Sequence, residues 1–203
     1  TAADLKWLAD PAEEPEPFGD GGTKMAWNTF NVVSIYPNGN PVMSDVNQRW
    51  VGDCCACAVI ASMAYLYPRF VKHIIKDNMD KTYTVTMYDP KGKQMSVGVG
   101  GDYFIGNSGD LGALGGRNKE VTWATILEKA MIKWNQIYQG SSNVGGIGTE
   151  YVSAIFTGDG ESVGFGANAL IAEDLQRAVE VSLKQGRLVI GGFTRSGEQG
   201  DQN

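Results

Sequence analysis

The sequence contains little of several features that mark common classes of protein. Only three cysteines occur in 203 residues, and all lie between Cys54 and Cys57, so they cannot form the framework of a disulfide-stapled secreted domain. The longest strongly apolar run, from Ala56 to Leu66, falls well short of the roughly 20 residues that cross a bilayer. Basic residues number 17 against 23 acidic ones and form no cluster. The sequence therefore predicts neither a transmembrane segment nor a nucleic-acid partner.

The sequence does contain enough apolar material for a core. Hydrophobic residues make up 42% of the chain and aromatic residues 10%, which predicts one domain or two small lobes. Residues 1–24 differ, because they are rich in proline, glutamate and glycine and have no apolar period. We expect them to form an extended, linker-like lead-in, with ordered structure from about Met25.

Hydrophobic periodicity and turn signals predict an α+β protein. A dense apolar stretch without glycine or proline predicts a buried helix over Cys54–Leu66, and Pro68 fits the first turn of a second helix. Alternating residues around an Asp-Pro-Lys-Gly turn predict a hairpin. The remaining predicted elements are the hairpin strands Thr82–Tyr88 and Gln94–Val99, a helix from Trp123 to Ile137, a helix over Ala172–Gln185 and a buried strand over Leu188–Phe193.

Cys54 is the residue with the clearest chemical potential, because it lies at the predicted start of a helix. Unpaired backbone amides and the helix dipole favour negative charge there, and the thiolate is the nucleophile of cysteine enzymes. Asp53 is a candidate for the helix cap. Gln48 lies six residues upstream, and its amide, together with the Cys54 backbone amide, would form an oxyanion hole.

These motifs resemble the calpain family of papain-like cysteine proteases. The resemblance rests on Gln48, on Gly52-Asp53-Cys54, on the apolar helix that follows and on the segment Trp123-Ala124-Thr125-Ile126-Leu127-Glu128-Lys129-Ala130. It implies a papain-like α+β core, in which residues 25–160 form the first, Cys-bearing helical lobe and residues 161–203 begin the second, β-rich lobe. It also implies thiolate attack by Cys54 on a peptide carbonyl, with Gln48 in the oxyanion hole.

The resemblance further implies a catalytic histidine and asparagine, which the family carries in the second half of its core. The only histidine in this chain is His73, and its helical phase favours a surface or packing role. We therefore expect both residues to follow position 203, in the same chain or in a second chain produced by cleavage. The polar segment Thr194–Asn203 suits an exposed loop that a protease cuts, so autoprocessing there is a hypothesis. Arg49 and Cys55 depart from the family pattern without removing a catalytic group.

Calcium is the cofactor that the resemblance implies, as a regulatory and not a catalytic ion. In the family, an acidic residue nine positions before the cysteine and nearby backbone carbonyls bind the ion in the first half of the core. Here Asp45 matches the acidic position, and Asn38 and Asn40 offer carbonyl oxygens. The family's glutamate position falls on Val121, with Glu120 one residue away. The expected ligands are therefore Asp45, Asn38, Asn40 and a displaced Glu120.

Other interpretations of the sequence stay open. Zinc binding by Cys54, Cys55 and Cys57 is disfavoured because three cysteines so spaced on a helix point in different directions, so packing explains the last two better. The glycine-rich runs fit no phosphate-binding fingerprint and are expected to be loops. The second candidate function is a catalytically inactive calpain-like module that binds partners. The acidic, cysteine-poor composition is compatible with a secreted or bacterial cell-envelope enzyme as well as a cytoplasmic one.

Overall fold

The computed structural model describes residues 1–19, 25–106, 109–164, 166 and 169–191. The chain divides into two compact units, Thr1–Phe165 and Gly166–Asn203. The helices are α1 (Ala2–Ala9), α2 (Cys54–Leu66), α3 (Pro68–Ile74), α4 (Trp123–Gln139), α5 (Thr149–Thr157) and α6 (Ala172–Lys184), with a 3-10 helix at Met43–Asp45. The strands are β1 (Ala26–Thr29), β2 (Ile75–Asp77), β3 (Tyr83–Tyr88), β4 (Gln94–Val99) and β5 (Asp102–Ile105). These elements confirm the predicted α+β class, whereas the division into lobes after residue 160 stays a prediction.

Two small antiparallel sheets lie in the first unit, one formed by β1 and β5 and the other by β2, β3 and β4 in that order. The predicted hairpin is confirmed as β3 and β4, which pair along their whole length. Its turn is closed by Asp89, whose carboxylate accepts hydrogen bonds from the backbone N–H groups of Lys91 and Lys93, both at 2.9 Å. The alternation of the sequence buries Val85 and Val97 on one face, as a strand period of two residues requires.

α2 and α4 carry much of the buried apolar surface of the first unit, and both confirm the predicted helices. α2 buries Val59, Ile60 and Met63, which recur at the helical spacing. α4 is buried from its first residue through Asn135. It ends at Gly140, whose φ of 74° is a left-handed conformation that glycine adopts without a steric penalty.

α3 starts at Pro68, where the missing N–H of proline has no helical partner to lose. α2 and α3 are bent by 113° relative to each other. Among the helices of the described ranges, none is by itself long and apolar enough to span a membrane. Only the bent pair of α2 and α3 meets that test jointly, by length and composition.

The N-terminal segment differs from the extended lead-in that its composition predicts. Residues 2–9 form α1, which is capped by reciprocal hydrogen bonds between Thr1 and Asp4. The segment after it is bound by two buried lysines of α4, because Lys129 Nζ lies 2.8 Å from Glu14 Oε1 and Lys133 Nζ lies 2.8 Å from the carbonyl oxygen of Asp10. The prediction was wrong because the partners of this segment lie more than a hundred residues away, outside any local sequence window.

Two further elements differ from the sequence prediction. α5 occupies Thr149–Thr157, inside a glycine-rich stretch expected to be a loop. The expected strand over Leu188–Phe193 is not seen in its described part, since residues 188–191 have no regular structure. Gly192 and Phe193 lie outside the described residues. A strand needs a hydrogen-bonded neighbour, and apolar composition alone does not supply one.

Candidate active site

Cys54 is the first residue of α2 and is exposed, whereas Ala56 two positions later is fully buried. The first turn of the helix is closed by a 3.0 Å hydrogen bond from the Cys57 N–H to the Asp53 carbonyl. The remaining N–H groups at this end have no helical acceptor and point toward the start of the helix. The arrangement therefore presents an accessible thiol at the positive end of a helix dipole.

The Asp53 side chain does not cap α2, which corrects the sequence prediction. No side-chain capping bond is present, and the carboxyl group is turned inward with 1% of the residue exposed. Its Oδ1 atom accepts a hydrogen bond from the Cys57 thiol at 3.5 Å. Burial raises the pKa of Asp53 to about 6, because the ionised form loses its hydration.

Behind Asp53 lies a residue whose role the sequence analysis missed. Glu128 of α4 is 1% exposed, and its carboxyl group lies close enough to that of Asp53 for each to shift the pKa of the other. Its Oε2 atom accepts a hydrogen bond from the Leu114 N–H at 2.9 Å. Burial, and then the neighbouring Asp53 charge, raise the pKa of Glu128 well above its ordinary value. The available signal was its place in α4, four residues after Ala124 and three before Met131, within the buried face.

Gln48 lies in the same turn as the candidate nucleophile. Its side chain is exposed, and its Nε2 atom donates to the carbonyl oxygen of Val51 at 2.9 Å. It also lies beside the Asp53 carboxyl group, whose pKa it lowers. A side-chain amide has two N–H donors, and in this structure the amide of Gln48 serves Val51 and lies beside Asp53. The oxyanion-hole role of Gln48 stays a prediction.

The structure does not bring the single histidine to the thiol. His73 is exposed on α3, and within the described ranges it makes no hydrogen bond to Cys54. A general base has to reach its proton donor within about 3 Å or through one water. The described part of the chain therefore holds a candidate nucleophile without its base.

A cleft of about 260 Å³ lies next to the turn that precedes Cys54. Its walls come from the end of α4, the start of α5 and the glycine-rich segment between them. The backbone N–H of Gly146, in that segment, donates to the Gly52 carbonyl at 3.1 Å, which ties the cleft to the turn. The lining residues are Trp134, Asn135, Gln139, Asn143, Val144, Gly145, Gly146, Ile147, Gly148 and Tyr151.

The four expected calcium ligands do not form an oxygen shell in this structure. Asp45 is 2% exposed, and its carboxylate already accepts hydrogen bonds from Asn38 Nδ2 at 2.8 Å, Val42 N at 3.3 Å and Trp123 Nε1 at 2.7 Å. The Asp45 carboxylate, the acidic ligand expected for the ion, is therefore already used by donors of the protein. Glu120 packs against Gly116. The residues present do not fit a calcium ion at Asp45.

The other two cysteines differ from Cys54. Both are partly buried, and burial is the main cause that raises the pKa of Cys55 and of Cys57. No group of three or more histidine, cysteine, aspartate or glutamate side chains in the described ranges is arranged to hold a metal ion. Packing is therefore the role that the structure supports for Cys55 and Cys57.

Comparison with known proteins agrees with this arrangement. The family model of the calpain family cysteine proteases matches residues 27–201, which includes the turn at Cys54, both sheets and α4. A search of curated proteins found no match. Cysteine proteases of this family hydrolyse peptide bonds, and its members are commonly regulated by calcium. Because the match covers most of the sequence, the chain belongs to the calpain family of cysteine proteases.

Proposed function

We propose that the chain supplies the nucleophile of a calpain-type cysteine endopeptidase, and that Cys54 is that nucleophile. The observation that carries the proposal is the contrast among three neighbouring thiols. Cys54 is exposed at the start of α2, whereas Cys55 and Cys57 are partly buried and have raised pKa values. In a family that works by thiolate attack, Cys54 alone combines access with a favourable helix position.

The reaction follows from the placement of the groups. The histidine takes the thiol proton of Cys54, and the sulfur forms a bond to the carbonyl carbon of the substrate. The negative charge that develops on the carbonyl oxygen is stabilised by the Cys54 N–H and an N–H of the Gln48 side-chain amide. The C–N bond then breaks, and the leaving amine takes a proton from the histidine. Water hydrolyses the thioester and restores the thiol. The 260 Å³ cleft beside Gly52 supports binding of an extended peptide next to the nucleophile.

The histidine and the asparagine come from outside this sequence, because His73 does not reach Cys54. We propose that they follow in the same polypeptide or stand in a partner chain made by cleavage within Thr194–Asn203. That segment lies outside the described residues, and autoprocessing there is proposed from its polar composition alone. Intact-mass measurement of the active enzyme tests it, since a single uncut polypeptide would contradict autoprocessing.

Calcium regulation is common in the family, and we propose that in this protein it acts at a place other than Asp45. Three hydrogen bonds already use the carboxylate of that residue. Measuring the reactivity of Cys54 with calcium and with a chelator tests the regulation directly. A rate that rises with calcium in both the wild type and Asp45→Asn supports a site elsewhere, whereas loss of the response in Asp45→Asn would place the ion at Asp45.

The main test is alkylation by iodoacetamide, with the modified residue located by peptide mapping. We expect fast labelling of the exposed Cys54 at neutral pH, and slow labelling of the two partly buried cysteines. Cys54→Ala should remove the fast phase and all hydrolysis of a casein substrate, whereas the control Cys55→Ala should keep both. Equal, slow labelling of all three cysteines would contradict the proposal.

The alternative is a calpain-like module that binds partners without catalysis, since Cys54 and Gln48 do not by themselves establish activity. Peptidase assay of the full polypeptide separates the two functions. A protein with a selectively reactive Cys54 but no Cys54-dependent hydrolysis would be the inactive module.

A further inference from the structure

Two acidic side chains are buried against each other directly behind Cys54. Asp53 and Glu128 are each 1% exposed, and they lie close enough for each carboxyl group to shift the pKa of the other. Each keeps one buried oxygen, Asp53 Oδ2 and Glu128 Oε1, that receives no hydrogen bond from a described N–H or O–H donor. The two neighbouring carboxyl groups therefore lack a hydrogen-bond donor for these two oxygens.

No cation neutralises the pair. The described ion pairs do not include Asp53 or Glu128. The nearest lysines along α4 are engaged by the N-terminal segment, Lys129 by Glu14 and Lys133 by the Asp10 carbonyl. Among the titratable groups of the neighbouring elements, the Cys57 thiol on α2 hydrogen-bonds the Asp53 carboxyl group, and the Asp53 charge acts on both Cys55 and Cys57. Cys54 on α2 and Glu150 on α5 act on Cys55.

Two ionised carboxylates in contact in a dry site repel each other strongly, and each also loses its hydration. A single proton between them removes both problems, because it converts the repulsion into a short, charge-assisted hydrogen bond. We propose that Asp53 and Glu128 share one proton at neutral pH, and that Glu128 is a positioning residue that holds the turn from which Cys54 enters α2. The proton lies between Glu128 Oε1 and Asp53 Oδ2, the two orphan oxygens.

The shared proton completes a continuous set of contacts that ends at the nucleophile. The Leu114 N–H fixes one oxygen of Glu128 at 2.9 Å, the shared proton joins Glu128 to Asp53, and the Asp53 carbonyl closes the first turn of α2 through the Cys57 N–H at 3.0 Å. Cys54 is the first residue of the turn that this bond closes. Loss of the proton to solvent leaves two facing carboxylates, which drives the turn apart. The positioning role rests on the proposed function, whereas the sharing of the proton does not.

The protonation state is measured without any assay of activity. In protein labelled with ¹³C at the carboxyl carbons of aspartate and glutamate, the Asp53 and Glu128 signals are assigned with Asp53→Asn and Glu128→Gln and followed against pH. We expect the Glu128 signal to stay that of a protonated carboxyl through neutral pH, and the two signals to respond to each other. A Glu128 carboxyl that ionises at the ordinary value for glutamate, about 4.3, would overturn the proposal whatever Cys54 does.

The positioning role is measured by the rate of Cys54 alkylation against pH in three variants. Glu128→Gln keeps an N–H donor toward Asp53, so its neutral-pH rate should stay within about twofold of the wild type, with no decline at the alkaline pH where the pair loses its proton. Glu128→Ala removes the donor, and its rate should fall on the order of tenfold, as small misplacements of reacting groups do. Glu150→Gln removes an exposed negative charge near Cys55 and serves as the control for a simple charge effect.

The outcomes are distinct. Equal pH profiles for the wild type, Glu128→Gln and Glu128→Ala would overturn the positioning role, and a rate change in Glu150→Gln as large as in Glu128→Ala would assign the effect to charge alone. If Glu128→Ala fails to fold, the alkylation rates of Glu128→Gln and the wild type at alkaline pH still test the positioning role. Failure of the proposed function would appear differently, as a wild-type Cys54 no more reactive than Cys55 and Cys57.

Discussion

At the residue scale, two buried aspartates near α2 differ in how the cost of burying a carboxyl group is offset. The Asp45 carboxylate accepts hydrogen bonds from three donors, those of Asn38, Val42 and the Trp123 indole. Asp53 accepts a hydrogen bond from the Cys57 thiol, lies beside the Gln48 amide and faces a second carboxyl group. Burial is thus compensated by donors in one case and by a proton in the other.

The first prediction concerns Asp45. Asp45→Ala leaves the buried Trp123 N–H and the Val42 N–H without an acceptor, so we expect it to lower the free energy of unfolding by about 2–4 kcal/mol. Asp45→Asn keeps one carbonyl acceptor and should lower it by less. Urea unfolding measures both. A double-mutant cycle with Trp123→Phe isolates the indole bond, and additive effects of the two changes would contradict a direct interaction between them.

At the element scale, the N-terminal segment is part of the fold of the first unit because it contacts both α4 and β4. Lys133 is fully buried, and its Nζ binds the carbonyl oxygens of Asp10 and Gly98, both at 2.8 Å, and so joins the segment to β4. Lys133 also lies over the Trp7 ring at 4.9 Å. Burial lowers its pKa to about 8, so removal of the segment would leave a costly buried cation.

The second prediction concerns the close approach of the segment to β4. A Cβ atom at Gly98 would lie 2.4 Å from the Ala9 carbonyl oxygen and 2.6 Å from the Pro11 nitrogen, both backbone atoms that cannot turn aside. We expect Gly98→Ala to displace the segment and lower the free energy of unfolding by roughly 1–3 kcal/mol. Limited proteolysis should then cut between α1 and β1 faster than in the wild type.

A neighbouring glycine provides the matched control. At Gly101 the nearest atom to an added Cβ is the Lys81 carbonyl oxygen at 3.6 Å, an ordinary contact. Gly101→Ala should therefore leave both the proteolysis rate and the unfolding midpoint close to wild type. Equal sensitivity of the two variants would show that the segment is not held by its fit against Gly98.

At the scale of the whole molecule, the buried carboxyl pair makes stability depend on pH. The pKa of Asp53 is raised to about 6 and that of Glu128 is raised further, from ordinary values of 3.8 and 4.5. The folded state therefore holds protons that the unfolded chain has already lost, and the stability that they contribute is lost as pH rises through the folded-state pKa values. Each such proton changes the free energy of unfolding by about 1.4 kcal/mol per pH unit.

The third prediction follows from this linkage. Glu128→Gln cannot ionise, so its free energy of unfolding should gain on that of the wild type as pH rises from about 4.5, the value for unfolded glutamate. Urea unfolding between pH 4.5 and 7.5 measures the difference, below the range where Lys133 adds an opposite slope. A difference between the two proteins that is constant with pH would mean that Glu128 is ionised in the folded state.

Most of the site and of the regular structure was determined by the sequence, for local physical reasons. Apolar spacing, Pro68 and the Asp89 turn predicted α2, α3 and the hairpin, because helices and hairpins depend on neighbours within a few residues. The order of Gln48, Cys54 and the Trp123 helix identified the family before the fold was known.

The tertiary structure decided which polar groups lose their water and which partners replace it. The sequence could not show that the N-terminal segment binds Lys129 and Lys133, or that Trp123 donates to Asp45, since those partners lie from 78 to 123 residues apart. It could not show that Asp53 turns away from its helix toward Glu128. Burial depends on how the whole chain packs, and it raises the pKa values of Asp53 and Glu128 because it removes the water that stabilises their ionised forms.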